Sequence, residues 1–129
     1  MRKNLLILLI AVFASYQGYQ WLASAKFPAY LKAHSKEPHS MSLLIKAMDA
    51  YVFLEDWPKA LQFIDICLSK DFKDAPQRPD CFYEKARIVD AQKRYSEALV
   101  MYNEFVEKYP GHRHAGIAKH RIEFLTHGY

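Results

Sequence analysis

Glycine is scarce in this chain, with four in 129 residues, and that scarcity removes whole classes of chemistry. No Gly-rich loop is available to cradle a phosphate, and neither a Gly-x-Ser-x-Gly elbow nor a His-Glu-x-x-His helix occurs. Cysteine is rarer still. Cys67 and Cys81 are the only two, which excludes a lipid attached to an N-terminal cysteine. Charge of one sign is also missing: the 18 basic residues, less Arg2 and Lys3, leave 16 against 14 acidic ones, a poor footprint for nucleic acid. The carboxylates Asp49, Asp65, Asp90 and Glu104 are spaced as solvated helix-surface charges and not as an acid–base pair. The expectation is a protein that is not an enzyme, needs no cofactor and binds no nucleic acid.

No charge occurs between Lys3 and Lys26. Within that gap, residues 5–14 are continuously apolar, while Ser15, Gln17, Gly18 and Gln20 dilute the remainder. A charge-free stretch of this length suffices to cross a bilayer, which needs about 20 residues. A signal peptide is the alternative, since Ala23-Ser24-Ala25 has the small-x-small form of a cleavage site. Tyr16, Tyr19 and Trp21 favour retention, because aromatic rings sit well at the headgroup level. Arg2 and Lys3 hold the extreme N-terminus in the cytoplasm. The expected arrangement is therefore residues 1–25 as anchor or signal with membrane contact through 5–23, 26–40 as linker or short helix, and a helical domain at 41–129 displayed outside the cytoplasm. If the leader is cleaved, the domain is exported as a soluble protein.

The domain is filled by a pattern written twice, 38 residues apart. Leu44, Met48 and Tyr51 precede Asp56-Trp57-Pro58-Lys59-Ala60-Leu61, Ile64 and Cys67; Phe82, Ala86 and Val89 precede Arg94-Tyr95-Ser96-Glu97-Ala98-Leu99, Tyr102 and Phe105. Each copy reads as two amphipathic helices joined by a tight turn. Ser40 is expected to cap the first helix, which runs to about Leu54; Asp56 and Pro58 start the second. Further helices are expected at about 81–92, 95–109 and 113–125. Trp57 and Ala98 read as packing residues at the turn and at the helix contact.

At these residues the chain resembles the tetratricopeptide repeat family. The second copy carries the resemblance through Phe82, Ala86, Val89, Tyr95, Ala98, Tyr102, Phe105 and Pro110, and Phe105-Val106-Glu107-Lys108-Tyr109-Pro110 is similar in wording to the branch found in bacterial envelope and outer-membrane-assembly proteins. The resemblance implies an all-α fold of two helix-turn-helix repeats plus a C-terminal capping helix. It also implies a non-enzymatic scaffold in an envelope complex that binds another protein or a peptide segment. The alternative is a small structural subunit buried in a larger membrane assembly. Two repeats are few for a continuous core, so self-association is a further expectation.

Family offsets place the groove at Ser42, Ile45, Asp49, Val52 and Phe53 in the first unit and at Tyr83, Arg87 and Asp90 in the second. A competing reading packs Ile45, Val52 and Phe53 against the segment around Phe27, Tyr30 and Leu31. For the cysteines, a bridge across the inter-repeat loop is one reading; two small buried hydrophobes, which free Cys resembles, is the one expected. His112, His114, His120 and His127, interleaved with Arg113, Lys119 and Arg121, read as a solvated basic face and not as a metal site.

Overall fold

The computed structural model describes residues 2–128 and is all-α, with seven helices and no strand among them. Its contacts divide the chain into residues 1–34 and 35–129.

In the first unit, α1 (Arg2–Ala23) is 22 residues long, has no buried residue, and is long and apolar enough to cross a membrane. Ser24 ends it by turning its hydroxyl onto the Trp21 carbonyl at 2.6 Å. Then α2 (Lys26–Ala33) begins. The indole of Trp21 meets the rings of Phe27 and Tyr30 at 5.4 and 5.8 Å, so an aromatic knot closes the α1–α2 bend.

The second unit comprises α3 (Pro38–Phe53), α4 (Trp57–Leu68), a 3-10 turn at Lys70–Phe72, α5 (Arg78–Ala91), α6 (Tyr95–Lys108) and α7 (Ala115–His127). Its principal packing runs between consecutive helices, as in a solenoid. In α3 the buried Met41, Leu44 and Met48 recur at spacings of three and four, the period that gathers side chains on one face. Pro38, and not Ser40, sets its start: Pro occupies the first turn, where its missing N–H costs nothing, and Ser40 lies inside the helix, fully buried.

The two repeats share a turn, atom for atom in its backbone bonding. Leu54, Glu55 and Asp56 donate to the carbonyls of Ala50, Val52 and Tyr51; Gln92, Lys93 and Arg94 donate to those of Ile88, Asp90 and Val89. Every pair is shifted by 38 residues. Glu55 and Lys93 are left-handed, at φ of 54° and 62°, and this single residue reverses the chain so that α4 folds back on α3 and α6 on α5. Asp56 then caps α4, accepting from the Lys59 amide at 3.4 Å. Ala60 and Ala98, at matching places in α4 and α6, are fully buried, while Trp57 is only partly so.

Around the second repeat the core gathers Tyr83, Ala86, Val89, Ala98, Tyr102, Phe105 and Ala118. The aromatic rings of Tyr83 and Phe105 lie 5.3 Å apart at its centre. Cys67 and Cys81 differ from the expectation of two separate small hydrophobes, because they form a disulfide with 6.4 Å between their α-carbons. Both are fully buried, and the bond ties the end of α4 to the start of α5. Arg78 strengthens the same junction by donating to the Ser69 carbonyl at 3.0 Å.

Candidate interaction surface

Stacking decides which of the expected groove residues face outward. Ile45 and Val52 on α3 are half-buried, whereas Asp49 and Phe53 are exposed, Phe53 at 86%. A side chain so open takes no part in the core of its own helices. Ser42 is exposed as well. Asp49, though accessible, has its carboxyl pushed above the usual range by partial desolvation.

On α5 the three residues have three different fates. Arg87 is exposed and donates to Glu84 at 2.7 Å. Tyr83, expected at the surface, is only 6% exposed and belongs to the core, because the loop entering α7 lays the His114 ring on it at 4.4 Å. Its phenol is consequently pushed upward, mainly by burial. Asp90 is not the solvated carboxylate its spacing suggested. Arg121 of α7 grips both its oxygens, from Nε at 2.6 Å and Nη2 at 2.7 Å, and the Tyr102 hydroxyl donates to it at 3.0 Å. This bidentate clasp locks α7 against α5 and α6.

Arg87 and Asp90 border a hollow of about 370 Å³ whose remaining walls are Ala91, Lys93, Tyr95, Tyr102 and Arg121. Its rim is cationic, with the half-exposed Tyr95 beside it. A larger hollow, of about 700 Å³, opens between the start of α3 and residues 70–77, where Lys36, Lys70 and Lys73 alternate with Glu37, Asp71 and Asp74. Neither was signalled by the repeat pattern, since both lie where elements meet.

The histidines also depart from the expected solvated face. His112 and His114 turn inward beside Asp80 of α5, with His112 Nε2 at 3.3 Å from Asp80 Oδ1. Burial first, then the charges of Arg113 and His112, hold the His114 imidazole below its usual range. His120 and His127 remain on exposed parts of α7.

No family model matches this chain, and no curated protein or solved structure is significantly similar to it. The repeat is therefore visible only within the chain itself, in its doubled pattern and doubled turn.

Proposed function

We propose that this protein is a membrane-tethered, non-enzymatic scaffold of the tetratricopeptide type, whose repeat domain holds a protein or peptide partner outside the cytoplasm. The observation that carries the reading is the repeated turn at Glu55 and Lys93, joined to helices that pack on their chain neighbours. A stack of this kind leaves its lateral faces open, and such faces are what helical repeats use for binding. Asp49 and Arg87, exposed on the first helix of each unit, are the contact residues with which the reading is tested. The apolar α1 supports a membrane tether. The disulfide supports an oxidising compartment, where such bonds persist.

Photo-crosslinking in native membranes tests the reading. A crosslinkable residue at Asp49 or at Arg87 of the full chain should capture the same protein, while one at Glu104 or Glu107 on α6 should capture none. Capture from all four positions would favour a subunit embedded in a larger assembly. Capture from none would end the scaffold reading.

A further inference from the structure

The loop between α6 and α7 returns over the start of α5 and places two imidazoles beside a carboxylate. One donor atom from each of Asp80, His112 and His114 lies within 4.8 Å of the other two. His112 Nε2 and His114 Nδ1 stand 3.3 and 3.9 Å from the same oxygen, Asp80 Oδ1. A tetrahedral zinc ion with bonds of about 2.0–2.2 Å sets its donors roughly 3.3–3.5 Å apart; of the three donor pairs, His112–Asp80 already has that separation, His114–Asp80 needs a shift of about half an ångström, and the two imidazole nitrogens, within 4.8 Å of each other, close around the ion.

Two features point to a ligand and not to a closed polar cluster. His114 Nδ1 is buried and has no hydrogen-bond partner, an arrangement that costs free energy unless something occupies that nitrogen's lone pair or accepts its proton. Both rings are also held in place by the core: His114 stacks on Tyr83, and His112 stands edge-on to Phe105 at 5.3 Å. Ligands fixed by packing lose little freedom when a cation arrives.

We propose that Asp80, His112 and His114 form a three-ligand site for a zinc-class divalent cation, with water in the fourth position, that pins the α6–α7 loop to α5. Two imidazoles and one carboxylate suit this class better than the all-oxygen sites of calcium or magnesium. Two existing bonds change on binding. Arg113 donates to Asp80 Oδ1 at 3.0 Å, but its side chain is 74% exposed and swings into water. His112 Nδ1 accepts from the His114 amide at 3.2 Å; ligation through Nε2 moves the ring proton to Nδ1 and breaks that bond.

The test uses the full chain in detergent micelles, stripped with a chelator and titrated with Co²⁺ as a spectroscopic stand-in for Zn²⁺. One equivalent should give visible absorption of a tetrahedral or five-coordinate site, and Zn²⁺ should abolish it. Asp80→Asn and His112→Gln should weaken binding about tenfold or more, while the His120→Ala, His127→Ala double variant binds as wild type. Arg113→Ala removes the competing guanidinium, so its binding should tighten, a gain that misfolding cannot mimic. A titration without a stoichiometric site, equal binding by wild type and Asp80→Asn, or weaker binding by Arg113→Ala would each overturn the proposal.

Discussion

Asp90 and Arg121, 31 residues apart in sequence, meet through two short hydrogen bonds that join α5 to the last helix of the chain. The carboxylate side chain is 11% exposed and the guanidinium 33%. Removing the acid strands a cation and the Tyr102 hydroxyl together. Asp90→Ala should therefore cost about 2–3 kcal/mol, as expected for bonds to charged groups, read from denaturant unfolding. Arg121→Ala alone should cost less, since Asp90 keeps its tyrosine.

The disulfide closes a segment of 14 residues between α4 and α5. Constraint of the unfolded chain by a loop of this size is worth about 3 kcal/mol. Cys67→Ala with Cys81→Ala should lower unfolding stability by about that amount while preserving helicity. An unchanged midpoint under reducing and oxidising conditions would show that the bond contributes nothing.

Tyr102 gives the domain an alkaline limit. Burial, then the negative charge of Asp90 and the bond to it, push the phenol's pKa upward. The folded state thus keeps a proton that the unfolded tyrosine releases near pH 10. Stability is fully present below that pH and falls as pH rises beyond it. Tyr102→Phe should flatten this alkaline slope in pH-dependent melting, at the cost of one hydrogen bond at neutral pH.

Glu55 and Lys93 occupy a backbone region that is costly for L-residues and open to glycine. Glu55→Gly or Lys93→Gly should stabilise the domain by up to about 1 kcal/mol. Ala98→Leu should do the reverse, costing about 1–3 kcal/mol by overpacking a site with no free surface. The same chemical denaturation series decides both.

Retention of α1 has a direct readout in the mass of the native protein. A chain beginning at its own N-terminus and resisting carbonate extraction is the expected result; one beginning near Lys26 would leave export standing and remove the anchor.

Local signals in the sequence are enough to place α1 and α3 through α7, while α2 falls in a stretch, residues 26–40, that reads equally as linker or short helix. Spacings of three and four mark the buried faces of α3 through α7, Asp56 and Pro58 mark the start of α4, and the doubled pattern announces the doubled turn, because each of these depends on residues within a few positions of one another. The long charge-free stretch likewise defines α1 by composition alone. The start of α3 differs from its expected place by three residues, since the helix is entered through Pro38 with Glu37 in the capping position, and Ser40, expected to cap it, lies inside.

The tertiary structure alone decided which residues meet across 14, 31, 32 or 34 positions. Cys67 joins Cys81, Asp90 takes Arg121, and Asp80 receives His112 and His114, none of which is implied by helical periodicity. Tyr83 was removed from the surface by the same cause. A helix face is open or covered according to what stacks on it, and the loop carrying His114 covers that part of α5. Periodicity specifies a face; the angle and register at which α7 returns specify its neighbour, and those are set by the packing of several helices at once.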